Sequence, residues 1–582
     1  MGIVLKISEM LTVLDHPTAY IALFTICWIA VPVLFAILKK TENKIVTVIL
    51  AFAPIVNFIV FFILNFTFGN PVKSILRYGL FFIAALVYCL AAVTLSKGKK
   101  VVRTLIESGV AAVLISAVAV SSILIETFEM HYGNFSRMGY AGSMSALIDE
   151  LEENYILGEY KKIDYDYLRS VYIPMAEEAE KNKDEAAFAE AVANLCYEFQ
   201  DGHVYIRITD DGLKADVHKR MSGNDYGFSM LRQSDGSIVA ILADEGTEAF
   251  RQGIHNGTVI TAWDGVGIDE AVRSVRCVSS GVPLRAYPIA SNEDVVKPVY
   301  LAGQGGDTVE VRFIGDDGKE RTAVLSSLGS YYDRLEAATH PLTHKWCDEF
   351  GYTKMLDDHC GYICIPRERY DEVLDVGAVI TDEYPAVREF LICKIEEMKA
   401  MGMDRLVIDL RDNDGGLDGV YEEIVSLFSN EEMKIYAGYY DGIGYKMSRQ
   451  WVWTVVPDGR YSDIPVVVLV NAGCASSGDV LAHHLSECNN VTMMGITTTW
   501  GSAQNMGGEC ILGGGHIEVR YPVIATLDAN GEIFLDAGPD RISSISLDVQ
   551  IPLDSDAITA IYENGEDYEL GYAVDYLNGK LT

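Results

Sequence analysis

Residues 466–479 read VVVLVNAGCASSGD. The apolar run from Val466 to Val470 predicts a strand buried on both faces. A turn of small residues follows, Asn471-Ala472-Gly473-Cys474-Ala475, and a helix is expected from about Ser477. Ser476 therefore stands where a strand hands over to a helix N-terminus. Backbone N–H groups and the positive end of the helix dipole lie beside such a hydroxyl. That setting suits a nucleophilic serine, because the oxyanion formed on attack must meet preorganised donors. A plain helix cap, worth about 1 kcal/mol, is the other reading of the same residue. The stretch is not a GxSxG elbow, since Cys474 occupies the first glycine position.

Outward from this segment the pattern alternates. A strand is expected over 361–366, a helix over about 383–401, a strand over 405–410 and a helix over about 420–428. After 466–470 come a helix over about 477–488 and a strand over 491–495. Alternation of this kind argues an α/β core with a largely parallel sheet, whose functional groups collect at the carboxyl ends of the strands. Residues 405–417, RLVIDLRDNDGGL, place a second polar turn at such an end. Gly415 and Gly416 allow its N–H groups to converge on one spot.

Upstream, Leu147, Ile148, Leu151 and Tyr155 recur on one helical face, and a second helical stretch runs to Phe199. It ends in FQDGHV (199–204), a turn into a strand over 204–208. Residues 224–328 read as a small β region, with strands at 227–231, 237–242, 259–263, 309–314 and 321–325, and Asp-Gly turns at 235–236 and 317–318.

The two ends of the chain differ in kind. Four apolar runs, at about 18–38, 45–66, 76–95 and 104–125, are each long enough for a bilayer core of about 30 Å. Lys39, Lys40 and Lys44, and Lys97, Lys99, Lys100 and Arg103, cluster in alternate loops. They predict a multi-pass cell-membrane protein with everything after about residue 127 extracytoplasmic. The net charge of −36 is concentrated after residue 126, which argues against nucleic acid as a partner. Eleven cysteines form no CxxC pair, and His340, His344, Cys347, His359 and Cys360 lack a ligand spacing; neither a metal nor a cofactor is expected.

Together, FQDGHV, the stretch Gly227–Asp264, VIDLRDNDGGL and VVVLVNAGCASSGDV, in that sequence order, resemble the motifs of C-terminal processing (tail-specific) and tricorn-core serine peptidases. The resemblance covers about 143–575. With the four-helix transmembrane region (1–126) that the apolar runs predict, it implies a helical subdomain (127–210), a PDZ-like β domain (211–330) and an α/β, ClpP/crotonase-like peptidase core (331–582). It also implies Ser476 as nucleophile, with Gly415, Gly416 and the Ser477 N–H as the oxyanion hole. Tyr226-Gly227-Phe228-Ser229 resembles a carboxylate-binding loop, which makes Gly227 and Phe228 substrate-binding residues, with Gln504 a third. The family's Ser–Lys branch places a lysine about 25 residues after the serine, and none lies between 490 and 519. The tricorn-like branch implies His203 as base instead. Its distal acid is a glutamate, which this chain lacks in the matching window; Asp540 is the first substitute and Asp536 the second. The expected partners are a peptide or protein substrate, including its free C-terminus, and the lipid bilayer. A catalytically silent peptide- or ligand-binding protein of the same fold is the alternative.

Overall fold

The computed structural model describes residues 131–277, 284–343, 347–369 and 384–581. Two compact units are distinguished, 1–139 with 507–515, and 140–506 with 516–582. The described part of the first is a parallel strand pair, His131–Asn134 against Gly508–Ile511, closed by the Phe135 N–H donating to Ile511 O at 2.7 Å.

The second unit is built on a six-stranded sheet. Its strands are β1 (Tyr352–Met355), β2 (Cys360–Cys364), β3 (Arg405–Asp409), β4 (Val466–Leu469), β5 (Val491–Gly495) and β6 (Val549–Gln550), and they lie side by side in chain order. β1 runs antiparallel to β2, and every later neighbour is parallel. Side-chain alternation sorts the strands between two cores. Leu406, Ile408, Val466, Val468 and Met493 join one cluster with residues of helices α1 (Pro385–Ala400), α2 (Asp418–Ser426) and α3 (Ser477–Ser486). Val407, Val467, Leu469 and Met494 face the other, with Ala573 of the helix Tyr568–Leu577 and residues of the β region. The period of two in a sheet covered on both faces explains why these strands read as unbroken apolar runs.

Upstream, the helices Tyr140–Asn154, Tyr165–Asn182 and Glu185–Tyr197 pack together through Leu147, Ile148, Leu151, Leu168, Tyr172 and Phe188. Asp164 and Asp184 cap the last two by accepting from the Tyr167 and Ala187 N–H groups. Segment 211–330 holds a hairpin, Ser229–Arg232 with Ile238–Ile241, and a four-stranded sheet of Val266–Gly267, Ile260–Trp263, Thr308–Ile314 and Glu320–Ser326. The helix Ala290–Leu301, which the periodicity does not reveal, packs along Ser229–Arg232. A further antiparallel sheet, also unanticipated, joins Tyr205–Ile208 to Ile517–Leu527 and the long hairpin Met433–Tyr440/Tyr445–Val455.

The expected fold class needs correction in its first part. Among the described residues no helix is long and apolar enough to cross a membrane. The longest, Tyr165–Asn182, is amphipathic and carries Glu177, Glu178, Glu180 and Lys181 in its second half. The four-helix transmembrane region therefore drops out of the fold class, and the apolar runs within 1–126 lie outside the described residues. The bilayer partner expected with it has no support in the described fold.

Candidate active site

The carboxyl ends of β2, β3 and β4 lie side by side, and each feeds a polar turn. Two asparagines lace the turns together. Asn471 Oδ1, after β4, accepts from the Asp412 N–H at 2.7 Å and the Gly473 N–H at 3.0 Å. Asn413, after β3, accepts the Ala475 N–H on its carbonyl at 2.8 Å. Asn413 Nδ2 donates to Ile365 O and to Glu368 Oε1, both 2.8 Å, which ties in the end of β2. Short polar side chains at strand ends satisfy backbone groups that a regular turn would leave open.

Ser476 sits between β4 and α3 at φ 62° and ψ −130°, and its side chain makes no capping hydrogen bond. The helix-cap reading fails on that geometry. A non-glycine residue held at positive φ costs on the order of 1–3 kcal/mol, and such strain collects at reactive centres. Gly415, at φ 88°, packs against it: a Cβ there would fall 2.6 Å from Ser476 Cβ and 3.0 Å from Ser477 N. Only glycine lets the turn approach so closely. Ser477 is the first residue of α3, so its N–H has no intrahelical acceptor. Cys474, two residues earlier, is fully buried, and burial pushes its thiol pKa well up, with Asp479 and Glu368 adding to it. It is an inert core residue.

The loop after β5 brings in a third component. Asp479, in the first turn of α3, accepts the N–H groups of Gly501 and Ser502 and so holds this loop over the helix start. Ser502 then touches both halves of the site. Its carbonyl accepts the Ser476 N–H at 3.0 Å, and its hydroxyl lies 2.9 Å from His203 Nδ1. The same hydroxyl donates to Asp201 Oδ1 at 2.8 Å. Asp201 is fully buried. Burial drives its pKa up, but Lys161, His203 and the Tyr155 hydroxyl outweigh burial, and the net shift is downward. Asp201 is thus a carboxylate and accepts only. The one Ser502 proton is spent on it, so His203 must be the donor at Nδ1, which leaves the lone pair on Nε2. Gly202, between Asp201 and His203, is pressed on Trp500, with room for no Cβ.

Behind Asp201 lies a buried lysine–carboxyl pair. Tyr155 donates to Asp201 Oδ2 at 2.7 Å. Lys161 donates to Asp536 Oδ1 at 2.5 Å, to Ala537 O at 2.7 Å and to Gln200 O at 2.8 Å. Burial pushes the Asp536 carboxyl up to about 8, opposed by Lys161 and reinforced by Asp201.

Ser502 thus bonds both Ser476 and His203, and the Gly415–Gly416 turn packs on Ser476 and Ser477. The structure does not bring Asp540 to them: that side chain is 73% exposed and pairs with Lys162 at the surface. The second choice, Asp536, is buried in the network behind Asp201. Gln504 is 1% exposed; its Nε2 donates to Phe534 O and its Oε1 accepts the Thr526 N–H, so its amide serves the fold. Phe228 is fully buried, and the Gly227 N–H donates to Asp225 Oδ1 at 2.8 Å. The Gly227 N–H is thus engaged within the loop in this conformation. Asp201, Ser502, Lys161 and Glu368 escaped the sequence reading, although Asp201 lies inside the FQDGHV motif. The arginine of the DLR motif has a structural role. Arg411, 1% exposed, binds Asp409, Asp567 and Glu569, and Glu569 accepts the Ile496 N–H, which locks the helix Tyr568–Leu577 to the sheet.

Residues 361–534 match a family model described as Peptidase family S41. The "Carboxy-terminal processing protease CtpA" of Bacillus subtilis is 30% identical over 295 residues, covering 49% of this chain and 56% of that protein. A "Carboxyl-terminal-processing protease" of Picosynechococcus sp. is 30% identical over 124 residues, covering 21% of this chain and 28% of that protein. The chain therefore spans about half or less of the length of these curated relatives. Among solved structures, mature CPAF complexed with lactacystin is similar at 12% identity and a TM-score of 0.47, over 76% of this chain and 99% of that chain. The family match and the curated relatives support a serine-type peptidase.

Proposed function

We propose that this chain cleaves peptides or protein C-terminal tails by acyl transfer, with Ser476 as nucleophile and His203 as general base. The observation that carries the reading is Ser502, whose carbonyl holds the Ser476 N–H while its hydroxyl holds His203 Nδ1. His203 Nε2 takes the proton of Ser476 Oγ as that oxygen attacks the scissile carbonyl. The charge gained by the imidazole is met by Asp201 through the Ser502 hydroxyl, one atom further than in a Ser-His-Asp arrangement. The oxyanion meets the Ser477 N–H and the glycine turn. His203 then gives the proton to the leaving amine, and the C–N bond breaks. A water deprotonated by His203 attacks the ester, releasing the acyl group as a carboxylic acid and returning the proton to Ser476. A preference for tails rests on kinship to processing proteases.

The test is labelling by a fluorophosphonate together with hydrolysis of paired peptides bearing a free or an amidated C-terminus. Wild-type protein should label and Ser476→Ala should not, with unchanged circular dichroism, and the free carboxyl should be the faster substrate. A folded wild-type chain that neither labels nor hydrolyses would return it to the silent binding module. Equal rates for the two peptides would remove the tail preference alone.

A further inference from the structure

The glycine turn beside Ser476 is closed in a way that the proposed reaction must undo. The Gly415 N–H donates to Asn413 Oδ1 and the Gly416 N–H to Ser477 Oγ, both at 2.9 Å. One carboxyl holds both acceptors. Asn413 Nδ2 donates to Glu368 Oε1 at 2.8 Å, and Ser477 Oγ lies 3.5 Å from Glu368 Oε2. Glu368 also grips the turn by its backbone: its N–H donates to Gly415 O, its carbonyl accepts the Leu417 N–H, and a Cβ on Gly416 would fall 2.3 Å from that carbonyl oxygen. The side chain is 0% exposed, and among the described residues no cation pairs with it. A buried carboxyl without a cation is costly.

Resting on the peptidase reading, we propose that Glu368 is a positioning residue that masks the oxyanion turn. It holds the Ser477 hydroxyl on the Gly416 N–H as a removable stand-in for the substrate oxyanion. Ionised Glu368 accepts the Ser477 O–H, which fixes the serine oxygen toward Gly416. Protonated Glu368 is itself a donor, so the Ser477 hydroxyl is free to turn and the Gly416 N–H is released. Burial pushes this carboxyl up to about 8; the Asn413 amide and a backbone N–H pull the other way, while Asp414 and Asp418 add to the rise. Burial, with the charges of Asp479 and then Glu368 adding to it, keeps the Cys474 thiol of the nucleophile turn neutral. The mask therefore tightens as pH rises through about 8.

The experiment is the pH profile of fluorophosphonate labelling at Ser476 in the full chain. Wild-type labelling should fall above pH 8, by about tenfold one unit beyond the titration. Glu368→Gln, a neutral isostere, should abolish that decline. Ser477→Ala, which removes the stand-in, should abolish it too and label faster than wild type at pH 9. The serine arm separates Glu368 from Asp536, which titrates in the same range but is bonded to Lys161 behind Asp201. A decline that persists in both variants overturns the proposal, as does slower labelling of Ser477→Ala at every pH. Amide exchange over residues 413–417 reads the mask without turnover: at pH 9 it should be faster in Glu368→Gln than in wild type. Equal exchange would overturn the assignment even in a chain that fails to label. Failure to label with faster exchange would sink the peptidase reading and leave the mask standing.

Discussion

Ser476 is reactive, in this reading, because of what its neighbours deny it. Its φ of 62° and the absence of a capping bond leave its hydroxyl unused by the helix it starts. Ser502 matters as much. Replacing it with alanine should cost about 100-fold in kcat/KM with little change in KM, since a positioned base contributes roughly 10²–10⁴ and the imidazole would lose both its tautomer lock and its link to Asp201. Full activity in Ser502→Ala would remove the relay. The serine and glycines were legible in the sequence because strand, turn and helix signals are local there. The acid was not. Burial decides between carboxylates, and FQDGHV does not show that Asp201 is fully buried while Asp540 is 73% exposed. Ser502 comes from a loop 299 positions after His203, with no pattern that links the two.

At the level of elements, two turns and a helix start form one laced unit, and its close approach rests on Gly415. Gly415→Ala would place a methyl 2.6 Å from Ser476 Cβ at a φ of 88°. Labelling of Ser476 should fall by about 10²–10³, the usual scale for losing an oxyanion donor. Near-wild-type labelling would mean that the turn gives way. The arginine of the DLR motif belongs at this scale as well. Arg411→Ala strips the cation from Asp409, Asp567 and Glu569, and breaking a buried pair of this kind costs about 3–5 kcal/mol. Chemical unfolding should report that loss, and a change below about 1 kcal/mol would discount the lock. The parallel core was legible because each strand is an apolar run between helical periods. The helix Ala290–Leu301 was hidden by Pro298 and by a polar first turn. The hairpin Met433–Tyr440/Tyr445–Val455 was hidden by mixed exposure without clean alternation.

Across the whole molecule, stability should depend on pH through buried neutral groups as well as carboxylates. His484 is 3% exposed, stacks near Tyr421 and Phe534, and among the described residues its Nδ1 has no hydrogen-bond partner. Burial lowers its pKa from 6.5 to about 3, and His483 adds to the shift. The unfolded chain binds this proton below pH 6.5 and the folded chain does not, so stability is lost as pH falls from 6.5 toward 3. The slope from this residue is about 1.4 kcal/mol per pH unit. His484→Phe should flatten the acid limb of melting temperature against pH, and an unchanged limb would exclude the effect. The seams between distant segments also set a clock for synthesis. The pairs that complete the catalytic network span 299 positions for His203 and Ser502 and 375 for Lys161 and Asp536. At about 5–20 residues per second, a ribosome needs on the order of 15–60 s to carry a chain from the first member of the shorter pair to the second. During that interval the imidazole lacks the hydroxyl that links it to Asp201, so in this reading the relay is completed only late in synthesis.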